Sequence, residues 1–437
     1  YLTRTPSGAT NQKTFTISYW VKRWGLQTGT SWQQVIGQQA SNYFRCGFNS
    51  NEQGDIIRMY GPSFEFRTTA LYRDVSAWYH VVLAIDTTQG TESNRAKLYV
   101  NGTQVTSFVT ATYPGQNVDQ DWNVAAAIVI GRSGSSGNDG LPAYLAQLVN
   151  IDGTAYAASD FGEFDSDSPT IWKPKDVSGL TFGTNGFFLD FADAADLGDD
   201  ESGNTNDFAE TGITATNQAT DTPTNNFANL NRLAWTTGSG LTFSEGNLKV
   251  ANSVSDWRPV ISNIPVTTGK WYCEIKCSAI GSGSQYGITP ITDYNDAGDL
   301  AFNIGDQART FVYINDGNKE NNGSAASYGD TYTTNDIIGI AIDLTNNYIY
   351  FSKNGTFQAS GDPTSGSSGT NAAYALTDGY YYGFTFATNA GTGEINFGSP
   401  PYANSSDAAD ANGYGAFEFA PPSGYYALCT KNLAEYG

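Results

Sequence analysis

Asp336-Ile337-Ile338-Gly339-Ile340-Ala341-Ile342-Asp343, followed after a polar turn by Tyr348-Ile349-Tyr350-Phe351-Ser352-Lys353-Asn354-Gly355, decides the fold. An apolar strand ends in Asp, the chain turns, and an aromatic strand closes on Asn-Gly, the dipeptide that suits the positive φ values of a tight hairpin turn. The same unit occurs earlier, where Ala84-Ile85-Asp86-Thr87 precedes Leu98-Tyr99-Val100-Asn101-Gly102. Two blocks therefore share a supersecondary unit without being close sequence repeats, which points to two sandwiches of one general architecture.

Working outward, period-2 runs fill both blocks. The first holds Phe15-Thr16-Ile17-Ser18-Tyr19-Trp20-Val21-Lys22 and Trp78-Tyr79-His80-Val81-Val82-Leu83; the second holds Trp271 to Cys277 and Tyr381-Tyr382-Gly383-Phe384-Thr385-Phe386. Gly, Asn, Asp and Ser clusters bound each run, as turns in an antiparallel sandwich should. Composition agrees: aromatics make up 14% and charged residues only 15% of 437 residues, with 48 Gly. The fold class is all-β. Between the blocks, residues 192–233 are rich in Asp, Asn and Thr and read as an acidic, polar, extended connector. The expected division is a first sandwich at 1–191, the connector at 192–233, a second sandwich at 234–399, and a C-terminal extension at 400–437 packing on the second.

The 43 acidic against 22 basic residues leave a net charge of -21, so repulsion from phosphates excludes nucleic acid as the expected ligand. No run approaches the ~18 apolar residues of a membrane span, so no membrane insertion is expected. Met59 is the only methionine and the chain opens on Tyr1, which suggests a processed or truncated N-terminus. Cys273 and Cys277 share one strand face but stand roughly 13 Å apart, too far for a disulfide. All four cysteines are expected as buried thiols.

The first block resembles the laminin-G-like, concanavalin-type jelly rolls in Phe15 to Lys22, Trp78-Tyr79-His80-Val81-Val82 and Lys97-Leu98-Tyr99-Val100-Asn101-Gly102. The second resembles a SPRY domain in Gly269-Lys270-Trp271-Tyr272-Cys273-Glu274, Tyr286-Gly287-Ile288, the Asp336 to Gly355 hairpin and Ile395-Asn396-Phe397-Gly398. The resemblance implies two concanavalin-like, jelly-roll antiparallel β-sandwiches in tandem. The opening Tyr1 to Ser7, the junction around Asp221 to Phe227, and Pro421 to Thr430 are similar to tail-fibre proteins of tailed, especially marine, phages. What this implies is a non-enzymatic structural or adhesion protein of the virion, tail fibre or capsid decoration. It would be extracellular, bound to other virion proteins, and would recognise a host-surface glycan or receptor. It would work as a homo-oligomer, a trimer by resemblance. A polysaccharide-degrading tailspike and a bacterial surface adhesin are the alternatives.

Glucanases of the concanavalin type carry Glu-x-Asp-x-x-Glu on a strand, and the nearest match, Glu163-Phe164-Asp165-Ser166-Asp167-Ser168, has Ser168 in place of the last acid. Retaining hydrolysis needs two carboxyl groups ~5 Å apart; this segment lacks one and reads as a loop. His80, the only histidine, would have to serve any Ser-His-Asp site, and its place in a strand favours packing. Calcium is the candidate cofactor, with oxygen ligands from Asn138-Asp139-Gly140 and from Asp193 and Asp196 in the acidic run; a solvated linker is the competing reading. Trp32, Tyr113, Trp122, Trp257, Tyr294 and Tyr328 lie outside the obvious strands and offer ring faces for recognition. The SPRY resemblance implies a partner-binding face built from loops, which favours Trp257, Tyr294 and Tyr328 and adds Arg258.

Overall fold

The computed structural model describes residues 1–26, 32–49, 55–133, 140–166, 168–234, 240–296 and 303–437. Strand makes up 41% and helix 9%, far below the ~30% helix usual in globular proteins, so the all-β expectation holds. The chain divides into two compact units, Tyr1–Gln218 and Ala219–Gly437. Each is a sandwich of two sheets.

In the first unit, one sheet runs Phe108–Thr112, Phe64–Thr68, Ile56–Gly61, Phe44–Asn49, Trp32–Gln38, Ile128–Ile130, Leu2–Arg4 and Ala209–Glu210. Facing it are Phe187–Leu189, Ala143–Asp152, Thr14–Arg23, Tyr79–Asp86, Ala96–Val100 and Thr103–Gln104. Alternation builds the core: Phe15, Ile17, Tyr19 and Val21 of one strand meet Phe44, Cys46 and Phe48 from the other sheet, and each such buried ring or branched chain contributes ~1.5–3 kcal/mol. The intervening positions are buried as well. Phe161, Trp172, Val177 and Phe182 fold over the outer face of the second sheet against Val82, Val149 and Ile151.

Residues 192–233, expected as a connector, are not one. Ala209–Glu210 pairs with Leu2–Arg4, Phe208 packs edge-on against Phe187 in the first core, and Leu197 is buried. The Asp200 carboxylate accepts hydrogen bonds from the backbone N–H groups of Phe188, Ser202 and Asn206 at 2.8–3.0 Å. Side-chain-to-backbone bonds of this kind order a polar loop that hydropathy reads as linker. From Ala219 the chain belongs to the second unit, where Phe227 and Leu230 are buried.

The second unit repeats the plan. One sheet runs Leu241–Ser244, Lys249–Asn252, Thr392–Asn396, Lys270–Ala279, Ile337–Asp343, Tyr348–Lys353 and Thr356–Phe357; the other runs Trp257–Ile261, Tyr382–Asn389, Gly283–Pro290, Phe311–Ile314, Asn318–Asn321 and Ser324–Ser327. Trp271, Cys273, Ile275 and Ile338, Ile340, Ile342 meet Tyr286, Ile288, Phe384 and Phe386 between them. The outer face of the first of these sheets is also covered. Phe417, Tyr425, Ala427 and Cys429 of the C-terminal extension lie on Tyr272, Ala341 and Tyr350, and Tyr426–Ala427 adds a short parallel strand beside Lys270–Ala279.

Glu274 fastens that extension. It points outward between Tyr272 and Lys276, and its side chain is fully buried. Its carboxylate accepts the backbone N–H of Phe419 at 2.7 Å and of Glu418 at 3.0 Å, with Asn396 and Tyr402 each donating at 3.3 Å. Burial pushes its pKa above the ordinary carboxylate range, and the two backbone N–H donors oppose that shift.

Candidate functional site

The clearest concentration of recognition chemistry is the outer face of the first sheet of the first unit. Along Phe44–Asn49, Ile56–Gly61 and Phe64–Thr68, the residues Phe44, Cys46, Phe48, Ile57, Met59, Phe64 and Phe66 point into the core. Period 2 therefore sends Arg45, Arg58, Tyr60, Glu65 and Arg67 outward. Register places Arg45 opposite Tyr60, Arg58 opposite Arg67, and Tyr60 opposite Glu65. The Arg58 guanidinium lies 4.6 Å from the Trp32 ring centre and pairs with Glu65 at 2.6 Å. Arg45 lies 4.6 Å from the Tyr43 ring and 5.8 Å from Trp32.

These rings hold the guanidinium planes in place by cation–π attraction, and Tyr43 is 45% exposed. A bulge between Gln34 and Ile36 brings the Gln33 carbonyl within 2.2 Å of where a Cβ at Gly47 would sit. Only glycine fits there, in the strand between Arg45 and Asn49. The result is a half-buried array of planar donors and aromatic edges that can stack on a sugar ring or fork onto an oxygen pair. Of these residues sequence reasoning had singled out only Trp32. The available signal was the outward phase of Arg58-Met59-Tyr60 and Glu65-Phe66-Arg67, in which every alternate position is charged or aromatic.

His80 is structural. Its Nδ1 accepts the Trp172 indole N–H at 2.9 Å and its Nε2 lies 2.8 Å from Ser18 Oγ. A triad histidine must donate from Nδ1 to a carboxylate, which the indole N–H prevents. Burial holds its pKa down at about 3; Trp20 stacks on the ring face at 4.6 Å between centroids, while Trp172 meets its edge through the hydrogen bond. The Glu163 segment is a hairpin strand rather than a loop: Gly162–Phe164 pairs with Trp172–Pro174. Lys173 bridges Glu163 at 3.6 Å and Asp165 at 3.0 Å, and their carboxylates push its pKa up. Both carboxylates are thus tied to one cation on this hairpin, and the third acid of the glucanase pattern is replaced by Ser168. Asp167 lies outside the described residues.

The four expected SPRY-block residues do not form one site. Tyr294 is 2% exposed and donates its hydroxyl to the Pro259 carbonyl at 3.2 Å; burial raises its pKa. It is a packing residue, not a loop contact. Trp257 is half-buried against Ile304, Val312 and Ala387, and Arg258 pairs with Asp256 at 2.8 Å. Tyr328 packs on Tyr313 and Phe351 and lies over Lys319 at 5.5 Å. Trp257 packs against Val312 and Tyr328 against Tyr313, consecutive residues of Phe311–Ile314, so the two rings lie on opposite faces of the sheet, Tyr328 on the core side. Trp122 is fully buried and Tyr113 sits edge-on to Phe66 in the first core.

Of the calcium candidates, Asp139 lies outside the described residues. Asp193 and Asp196 each accept a backbone N–H two residues on, from Ala195 and Gly198, so both carboxylates brace their own turns. Among the described residues, no group of three His, Cys, Asp or Glu side chains is placed to hold a metal ion. All four cysteines are free and buried.

Residues 1–154 match the concanavalin A-like lectin/glucanases superfamily and residues 270–398 match the SPRY domain. The chain thus carries a concanavalin-like domain and a SPRY domain in tandem. Among curated proteins it is 29% identical over 112 residues to the ATP-dependent RNA helicase DDX1 of Xenopus laevis, across 26% of this chain and 14% of the helicase. The match therefore spans about one seventh of that relative. Among solved structures, the SPRY domain of human HERC1 is 15% identical, covering 36% of this chain and 92% of that one at a TM-score of 0.28. Stonustoxin is 15% identical, covering 39% of this chain and 26% of its own at 0.30. Among the described residues, no helix is long and apolar enough to cross a membrane.

Proposed function

We propose that the chain is a non-enzymatic adhesion module of a virion, a tail fibre or capsid-decorating fibre, that binds a host-surface glycan. The observation that carries the glycan reading is the outward array of Trp32, Tyr43 and Tyr60 interleaved with Arg45 and Arg58 on a concanavalin-like sheet. A tandem of two binding folds supports adhesion over catalysis. The virion assignment, its homo-oligomeric state and its attachment to other virion proteins rest on the similarity of the terminal and junction segments to phage tail-fibre proteins. Single glycan contacts are weak, and repeated copies raise avidity ~100- to 10,000-fold when the sites engage together.

The test has two arms. Purified chain is applied to immobilised host-surface polysaccharide and to whole cells, alongside Trp32→Ala and Tyr60→Ala. Binding by the parent and loss in both folded variants is expected; equal binding by the variants overturns the assignment of this face. Antibody labelling of intact particles should place the chain on a fibre or capsid surface, and finding it only in host cytosol ends the virion reading.

A further inference from the structure

The C-terminal extension builds a second polar cleft, in the other unit and separate from the array of the first. Its floor is the outer face of the sheet around Lys276 and Ile337, and its walls are Ser405, Glu418 and Phe419, with Asn335 and Asn354 at the rim. The cleft is shallow and open to solvent, with a volume of about 500 Å³. Its wall is held by the buried Glu274 carboxylate, which anchors the N–H groups of Glu418 and Phe419.

Lys276 is the unexplained group. It is half-buried on the cleft floor, with its ammonium 5.1 Å from the Tyr402 ring. The acids around it are engaged elsewhere. Glu394, its register neighbour, pairs with Lys249 at 2.5 Å. Asp336 pairs with Lys353 at 3.4 Å, and Glu418 accepts the Ser405 backbone N–H at 2.7 Å and its hydroxyl at 2.6 Å. Lys276 lies close enough to help hold the Glu418 pKa below the ordinary range, though the Ser405 bonds contribute most. A half-buried ammonium with no acid within salt-bridge distance among the described residues, in a chain of net charge -21, suits an anion supplied from outside.

We infer that this cleft is a subsite for an acidic saccharide. The Lys276 ammonium takes the carboxylate or sulfate oxygen, the Phe419 ring faces the sugar ring, and Glu418 with Asn335 meets hydroxyl groups. The ammonium chooses the anionic group, and the aromatic wall favours a sugar over a bare inorganic ion.

The test is titration of the full chain, followed by ligand-observed NMR, with a galacturonic acid trisaccharide, a sulfated galactose trisaccharide and the neutral galactose trisaccharide. Saturable millimolar binding of one or both acidic sugars is expected, weakened about tenfold or more by Lys276→Met, which keeps the aliphatic stem. Comparing the two acidic sugars tells carboxylate from sulfate. Tyr60→Ala, in the other unit, should leave this binding unchanged. Four results overturn the inference: no saturation by about 10 mM sugar, equal binding of the neutral sugar, unaltered binding by folded Lys276→Met, or loss of binding with Tyr60→Ala. The last would assign the acidic sugar to the face on the first unit instead.

Discussion

The Trp172 indole N–H donates to His80 Nδ1 at 2.9 Å, which fixes the imidazole as the tautomer carrying its hydrogen on Nε2, aimed at Ser18 Oγ 2.8 Å away. The only histidine of the chain is thereby locked as a neutral packing element beside two tryptophans.

His80 should consequently not titrate in the native protein between pH 4 and 9. Its folded pKa, about 3, lies below the ordinary 6.5, so from pH 6.5 downward the unfolded chain takes up a proton that the native chain refuses. This contribution to stability is present above about 6.5 and lost on acidification, at up to about 1.4 kcal/mol per pH unit. Urea midpoints between pH 7 and 5 should fall less in His80→Gln than in the parent. An imidazole resonance shifting near pH 6.5 in the native protein would sink this.

Glu274 should behave as a fastening. Glu274→Ala leaves the N–H groups of Glu418 and Phe419 without an acceptor and should cost about 2–4 kcal/mol, with faster amide exchange and proteolysis over residues 400–420. Its folded pKa is raised, so its titration term favours the native state fully below about 4.3 and is lost as pH rises through the folded value. Glu274→Gln should flatten that part of the pH profile.

On the first unit, Tyr60→Ala and Arg58→Gln should each weaken glycan binding about 5- to 30-fold with melting temperatures close to the parent's, since both side chains point away from the core. A large drop in melting temperature would mark them as structural instead.

All four thiols are buried, and burial pushes the pKa of each upward. Thiolate is the reactive form, so a disulfide-exchange reagent should modify almost none in the native protein and four after denaturation.

Exhaustive chelation should leave the melting curve unchanged, because Asp193 and Asp196 already serve their own backbone turns. A fall in melting temperature, restored by calcium, would show an ion bound only to the folded state.

The sandwiches were legible because alternation is a local signal. The run of isoleucines at Ile338, Ile340 and Ile342 faces the core as its spacing dictates, and Asn354-Gly355 takes positive φ at both residues, as the hairpin reading required. The polar join was not legible. Asp200 orders it through hydrogen bonds that resemble a linker's composition, and Phe208 reaches a core formed by residues far away in sequence. Tyr294 failed as a surface candidate for a related reason: whether a lone loop aromatic is covered depends on what packs over it. The array of Arg45, Arg58 and Tyr60 depends on two strands falling into register, which no single strand announces.

The covering of Tyr272, Ala341 and Tyr350 by residues 417–429 has a practical side for anyone excising the second sandwich. A fragment cut at Gly398, where the SPRY match ends, would bare two tyrosine rings and strip the Glu274 carboxylate of both its backbone donors on a broad sheet face. Such a piece should clump or misassemble during expression, whereas one carried through to Gly437 should remain dispersed. The minimal folding unit is therefore longer than the family boundary, and libraries built on that boundary would discard this domain as insoluble.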